Sequence, residues 1–173
     1  KDAFAPAITF ISKGFAVAMP DYLGLGDSDE VHPFPLGKIN AGSAIDIIEP
    51  ARKAASDAGM PIGSPLLVSG FSEGGAVALW TVRLIEEEQA SGLRVDGSAP
   101  IAGPYDLTGV TAASMISDQS NPLWRMGRSY LSGYLGWSAE RWAGVKTEEL
   151  FTPSMASYVR HVFSTASSDR DVM

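Results

Sequence analysis

The chain contains no cysteine among its 173 residues. This absence excludes disulfide bonds, a thiolate nucleophile, and zinc or iron–sulfur sites with cysteine ligands. Histidine is almost as scarce, because only His32 and His161 are present, and they do not form a paired-histidine metal motif. We therefore expect no metal site.

Positive charge and long apolar runs are also scarce. The 13 lysine and arginine residues are outnumbered by 20 aspartate and glutamate residues, which gives a formal net charge of −7. Such an acidic chain is a poor binder of nucleic acid or of anionic membranes. No apolar run reaches the length of a transmembrane helix, so we expect no membrane-spanning segment.

The ends of the sequence lack two common features. The chain begins with Lys1 rather than an initiator methionine, and its first residues do not have the charged and then apolar layout of a signal peptide. We interpret the sequence as a piece of a longer chain. With 45% hydrophobic and 19% charged residues, it is expected to be globular and to form one core.

Strand-like and helix-like segments alternate along the chain, which predicts an α/β fold with a mostly parallel sheet. Short apolar runs predict buried strands at residues 15–19, 65–69 and 93–101. Helical patterns are found at residues 4–11, 41–48, 76–88, 123–135 and 153–163, with Pro50 interrupting the second pattern. After residue 103 no further strand is evident. We therefore assign residues 1–110 to a sheet-based core and residues 111–173 to a helical region, and a parallel sheet of three strands looks incomplete.

One short motif indicates chemistry. The segment 70–74, Gly-Phe-Ser-Glu-Gly, matches the G-x-S-x-G nucleophile elbow, in which a strained strand-to-helix turn exposes a serine hydroxyl. The pattern alone is weak evidence, because it can occur by chance in a glycine-rich chain. Here, however, a predicted strand precedes it and a predicted helix follows it. We predict that Ser72 is the nucleophile and that Gly70 and Gly74 are small because the strand and the helix crowd together. The alternative is an ordinary glycine-rich turn that happens to contain a serine.

Three segments in the same order resemble a known family. Residues 14–26, GFAVAMPDYLGLG, resemble the fourth strand and the following loop of α/β-hydrolases, in particular of the secretory lipase family, which includes fungal lipase A and bacterial relatives. The elbow at residues 70–75 falls where that family has it, and residues 102–107, AGPYDL, are similar to the stretch after its sixth strand. The resemblance covers nearly the whole chain. It implies an α/β-hydrolase fold that is truncated at both ends, with residues 1–110 as the N-terminal part of the core and residues 111–173 as a helical cap. It also implies cleavage of lipid or other carboxylic esters through an acyl-enzyme, no cofactor, and secretion.

The resemblance also implies an oxyanion hole formed by the backbone N–H of Glu73 and by Asp21. A carboxylic acid can donate there only when it is protonated, and this requires an apolar setting. The alternative for Asp21 is a loop residue that accepts hydrogen bonds from nearby backbone N–H groups. The side chain of Glu73 also has a simple interpretation as an acid in the first turn of a helix. For His32 we favour a loop histidine with its own hydrogen-bond partners over a catalytic base.

The remaining catalytic residues are harder to place. Ser72, Asp118 and His161 follow the order Ser, Asp, His of this fold, but neither partner follows a recognisable strand. His161 is predicted to lie on an apolar helix face. We therefore expect the catalytic acid and histidine to lie outside this chain, and the 173-residue piece alone to be inactive. An apolar and aromatic set in the cap could form its core, line an acyl-chain pocket, or do both; its members are Leu123, Trp124, Tyr130, Leu131 and Tyr134.

Two other functions remain open at this stage. The same fold could act on a different acyl substrate, as a peptidase or an acyltransferase does. Alternatively, the chain could be a degenerate hydrolase that serves only as a binding module. Neither alternative requires a nucleic-acid partner or a cofactor.

Overall fold

The computed structural model describes residues 4–88, 92–117, 120 and 122–165. These residues form a mixed α/β structure in which helices surround a small sheet. The first part comprises α1 (Phe4–Ile11), α2 (Gly37–Asp46), α3 (Ile48–Asp57), β1 (Leu67–Phe71), α4 (Glu73–Glu88) and β2 (Gly97–Ile101). A π-helical turn (Leu107–Thr111) follows, and then α5 (Ala112–Ser117), α6 (Pro122–Trp142), α7 (Thr147–Leu150) and α8 (Pro153–Thr165).

The sheet is parallel, as the sequence predicted. Leu67 pairs with Gly97 and Phe71 pairs with Ile101, and α4 provides the crossover between the two strands. Asp96 extends the pairing by one residue, because its N–H donates to the Leu66 carbonyl and its carboxylate accepts from the Leu66 N–H, each at 2.9 Å. The strands predicted at 65–69 and 93–101 are therefore confirmed with shifted bounds. Their predicted burial is wrong, because Leu67, Phe71 and Ile101 are 47%, 71% and 51% exposed.

The strand predicted at residues 15–19 is wrong for the described structure. This run has no regular secondary structure, and Phe15, Val17 and Met19 are 36–46% exposed. A strand needs a neighbour that accepts and donates its backbone hydrogen bonds, and none of the described segments pairs with this run. The sheet formed by the described residues accordingly has two strands rather than the three expected.

The buried core lies between α2 and α4. Ala41 of α2 is fully buried against Val77 and Leu84 of α4, and Tyr22, Ala44, Ile45 and Trp80 pack around them. Helix α2 ends at Asp46 and α3 restarts at Ile48, so that Pro50 falls in the first turn of α3, where a missing N–H is tolerated. The helical segment is thus interrupted as predicted, but the new helix begins two residues before the proline.

The region predicted to form the cap, residues 111–173, contains α6, α7 and α8. Arg160 of α8 forms ion pairs with Glu140 and Glu148, and Glu140 also accepts hydrogen bonds from Thr147. Tyr134 packs edge-on against Phe163, with ring centroids 4.7 Å apart. This contact supports the core interpretation for Tyr134. The side chains of Leu123, Trp124 and Tyr130 lie outside the described residues.

Within the described part of the chain, every helix is too short or too polar to cross a bilayer.

Candidate active site

Ser72 occupies a strained turn between β1 and α4. Its φ of +56° lies in the left-handed region, which costs a non-glycine residue about 1–2 kcal/mol. The turn is attached to β2 because the Ser72 N–H donates to the Ile101 carbonyl at 2.9 Å. The side chain of Ser72 is exposed. This is the backbone geometry that a nucleophile elbow requires.

Two positions of this segment, 70 and 75, have no room for a side chain, and only the first of them was predicted. A Cβ at Gly70 would overlap the Gly74 carbonyl group and lie 2.9 Å from the Gly74 Cα. A Cβ at Gly75 would lie 2.6 Å from the Ile101 carbonyl oxygen. The crowding predicted for Gly74 is wrong, since its Cβ would meet only the Tyr22 hydroxyl at 3.6 Å, an ordinary contact. The turn directs position 75, rather than position 74, towards β2.

The first turn of α4 presents N–H groups beside Ser72. The N–H groups of Gly75 and Ala76 donate to the Ser72 carbonyl at 2.9 and 3.4 Å. The N–H groups of Glu73 and Gly74 come earlier in the helix and have no acceptor within it. They lie at the positive end of the helix dipole. The geometry is therefore compatible with the predicted oxyanion donor at Glu73, which stays a prediction.

The side chain of Glu73 lies in a largely buried hydrogen-bond network. His32 Nε2 is 3.0 Å from Oε1 and 3.1 Å from Oε2 of Glu73, and Asn40 Nδ2 donates to Oε1 at 3.0 Å. The second ring nitrogen of His32, Nδ1, is 2.9 Å from the Leu23 carbonyl oxygen. His32 is 9% exposed and Asn40 is fully buried. We call His32, Asn40 and Glu73 the His32 network.

The His32 network confirms one prediction and adds one residue and one side-chain role that sequence reasoning missed. His32 is a loop histidine with partners on both ring nitrogens, as expected. Asn40 and the buried role of the Glu73 side chain were not predicted, because the contacting residues are 33 and 41 positions apart. The available signal was Asn40 itself, a polar residue between Ile39 and Ala41 in a helix that contributes to the core.

Tyr22 connects the His32 network to the loop that follows residue 20. Its ring stacks on His32 with a centroid distance of 6.2 Å and an interplanar angle of 5°. Burial raises the pKa of the Tyr22 hydroxyl, and the nearby Glu73 carboxylate raises it further. The same hydroxyl lies beside Gly74, so this loop packs directly against the elbow.

Asp21 precedes Tyr22, but its carboxylate lies over the Cα of Gly26 within the same loop. Asp21 is exposed in the described structure. The proposed oxyanion role requires an apolar enclosure that keeps a carboxylic acid protonated. The described residues do not supply that enclosure, and the role of Asp21 stays a prediction.

His161 lies on α8, and its side chain is exposed, whereas its neighbours Val159 and Val162 are buried. The prediction that it lies on an apolar face is therefore wrong, because the buried face of α8 passes through the two valines. Asp118 lies outside the described residues. The arrangement Ser72, Asp118, His161 remains an untested prediction.

The end of α6 is attached to the segment just before His32. Arg141 forms a two-point ion pair with Glu30 at 3.1 and 3.2 Å, and the arginine lowers the pKa of that carboxyl. Trp142 Nε1 donates to the Val31 carbonyl at 3.0 Å. An apolar cavity of about 130 Å³ lies between residues 34–36 and the same helix. Helix α6 of the predicted cap region and the His32 network are therefore neighbours.

Among the described residues, no cluster of three or more histidine, aspartate or glutamate side chains could hold a metal ion.

Comparison with known proteins identifies the family. The family model described as "Secretory lipase" matches residues 6–144, which is most of the chain. A provisionally assigned hydrolase from Legionella pneumophila has a similar crystal structure, with a TM-score of 0.74 and 25% sequence identity. The match covers 92% of this chain and 42% of that one, so the present chain spans less than half of its structural relative. No curated protein matches the chain. The chain belongs to the secretory lipase family, with a mixed α/β fold like that of the hydrolase it matches.

Proposed function

We propose that this chain carries the nucleophile of a serine hydrolase that cleaves carboxylic esters. The observation that carries the proposal is the exposed Ser72 with φ +56° at a strand-to-helix turn, followed by the open N–H groups of α4. Membership of the secretory lipase family favours a lipase or esterase within the hydrolases. It also favours a secreted enzyme.

The proposed reaction has two half-reactions. Ser72 Oγ forms a bond to the ester carbonyl carbon while its proton passes to a histidine base, and the oxyanion accepts a hydrogen bond from the Glu73 N–H. The intermediate then collapses, the alcohol leaves with the proton, and an acyl-enzyme remains. Water attacks this acyl-enzyme and releases the carboxylic acid. We propose that the base and its acidic partner are presented by later parts of the fold rather than by the described residues.

The substrate class can be tested in the full-length protein that contains this chain. We expect turnover of p-nitrophenyl butyrate and little turnover of peptide p-nitroanilides. Preferential peptide cleavage would favour the peptidase alternative, and transfer of the acyl group to an added alcohol in preference to water would favour an acyltransferase. A folded protein inactive on all of these would favour a binding module.

The role of Ser72 is tested by Ser72→Ala, with Ser69→Ala as the matched control. Ser69 lies on β1 and donates its hydroxyl to the Ala99 carbonyl at 2.8 Å, so it is a nearby serine with a structural contact. We expect Ser72→Ala to lower kcat for p-nitrophenyl butyrate by at least about a thousandfold, because the nucleophile is lost. Ser69→Ala should retain most of the activity. Equal activities of the two variants would contradict the proposal.

A further inference from the structure

The hydrogen bonds of His32 fix where its protons lie. The Leu23 carbonyl oxygen can only accept a hydrogen bond, so His32 Nδ1, 2.9 Å away, must carry a hydrogen. On the other side of the ring, Nε2 faces both carboxylate oxygens of Glu73 at 3.0 and 3.1 Å. An ionised carboxylate also only accepts, so a second hydrogen must lie between Nε2 and Glu73. The pair therefore holds one proton more than a neutral histidine and a free carboxylate would hold together.

The surroundings favour placing this proton on His32 rather than on Glu73. Asn40 Nδ2 donates to Glu73 Oε1 at 3.0 Å, and His32 Nε2 approaches the same oxygen. An ionised carboxylate oxygen offers a lone pair both to the Asn40 donor and to a hydrogen on His32 Nε2. The pair is then an imidazolium beside a carboxylate, both removed from most solvent.

The orientation of Asn40 shows that its donor is directed to Glu73. The Asn40 side chain is fully buried, and its Oδ1 has no hydrogen-bond partner within the described part of the chain. Buried acceptors are rarely left unpaired. Rotation of the amide group by 180° would place Oδ1 against the Glu73 carboxylate. Both groups are acceptors, so no hydrogen bond could form between them. The observed orientation keeps a donor on Glu73 and leaves Oδ1 as the unpaired atom.

The His32 network therefore holds the residue that directly follows the nucleophile. Glu73 is the first residue of α4, and its side chain is fixed from two sides by a loop histidine and by an asparagine of α2. Because both of its carboxylate oxygens are held, the Glu73 side chain restricts rotation about the N–Cα bond of the same residue. The backbone N–H of Glu73, which is attached to that Cα, is thereby restricted as well.

We propose that His32 and Asn40 are positioning residues, and that the partly buried His32–Glu73 ion pair, closed by Asn40, holds the Glu73 N–H where the oxyanion forms during acyl transfer at Ser72. This inference rests on the proposed function of Ser72. The carboxylate of Glu73 touches no substrate in this scheme. It acts only through the backbone N–H of the same residue.

The first test is the kinetics of Glu73 variants in the full-length enzyme, with p-nitrophenyl butyrate as substrate. Glu73→Ala should lower kcat by about 10- to 100-fold and change KM by less than about twofold, because a displaced oxyanion donor weakens transition-state binding alone. Glu73→Gln should recover most of the lost kcat. Its amide can donate to a neutral His32 Nε2, and its carbonyl can accept from Asn40, so every contact is retained without the extra proton.

A matched control comes from the other end of the same helix. Glu87 forms an exposed ion pair with Arg83 on α4, and Glu87→Gln should behave as the wild type does. The proposal is overturned if folded Glu73→Ala keeps wild-type kcat, if the whole loss falls on KM, or if Glu73→Gln is no better than Glu73→Ala.

The second test does not depend on catalysis or on the folding of the alanine variant. Nitrogen NMR of histidine-labelled full-length protein reports how many ring nitrogens carry a hydrogen, and His32→Gln identifies the His32 signals. At neutral pH, His32 should be doubly protonated in the wild type and singly protonated in Glu73→Gln. A singly protonated His32 in the wild type would overturn the ion pair. Because the measurement can be made in Ser72→Ala, it separates failure of this inference from failure of the proposed function.

Discussion

Alanine at Gly70 should destabilise the protein whereas alanine at Gly74 should not, although both glycines belong to the same motif. A Cβ at Gly70 would overlap the Gly74 carbonyl group, and the atoms it meets belong to the backbone. The turn cannot move away easily because the Ser72 N–H is bonded to Ile101. We expect Gly70→Ala to lower the free energy of unfolding by about 3 kcal/mol, towards the upper end of the usual cost of overpacking.

At Gly74, substitution by alanine should raise the free energy of unfolding slightly or leave it unchanged. The new Cβ would contact only the Tyr22 hydroxyl at 3.6 Å, and alanine is a better helix former than glycine. We expect an effect between no change and about 1 kcal/mol of stabilisation. The two variants should therefore differ by about 3–4 kcal/mol, the sum of these two estimates.

Urea unfolding of the two full-length variants, followed by intrinsic fluorescence, measures this difference directly. Gly70→Ala should also lose kcat, because Ser72 moves with the turn. Equal unfolding midpoints, or a less stable Gly74→Ala than Gly70→Ala, would refute the steric account of the elbow.

Two further predictions concern the segment between residues 20 and 36 and its attachment to the cap. Because burial raises the pKa of Tyr22 above 10.0, the unfolded chain loses this proton first, so the free energy of unfolding should fall as the pH rises above about 10. In Tyr22→Phe that alkaline fall should be shallower, and an unchanged slope in urea titrations would contradict the assignment. Trp142→Phe removes the hydrogen bond to the Val31 carbonyl and should cost about 1 kcal/mol in the same assay. Wild-type stability of Trp142→Phe would show that this contact contributes little.

The features that the sequence predicted well are those encoded within a few residues. An apolar run before Gly70 and a helical pattern after Ser72 specify the turn, and the parallel pairing follows from the helix between the two strands. The strand at 15–19 could not be predicted in the same way, because a strand depends on a neighbour that is distant in sequence. The wrong assignment of crowding to Gly74 has a similar origin, since a motif gives spacing but not the direction of each Cα–Cβ bond.

The His32 network could not be predicted from a local sequence pattern either, because its residues are distant in sequence. A loop histidine, a helix asparagine and a first-turn glutamate each have an ordinary interpretation alone. Only the packing of α2 on α4 brings Asn40 to Glu73, and only the course of the loop places His32 beside both. Residues that hold an active site are commonly assembled by tertiary structure in this way, whereas the nucleophile is marked by its own turn.

The identity of the nucleophile is tested most directly by a fluorophosphonate probe on the full-length protein, followed by peptide mass spectrometry. An activated serine displaces fluoride and forms a stable bond from Oγ to phosphorus, whereas an ordinary serine does not react. We predict a single adduct on the peptide that contains Ser72, and no adduct in Ser72→Ala. An adduct on a different serine, or none in a protein that hydrolyses esters, would contradict the assignment of Ser72.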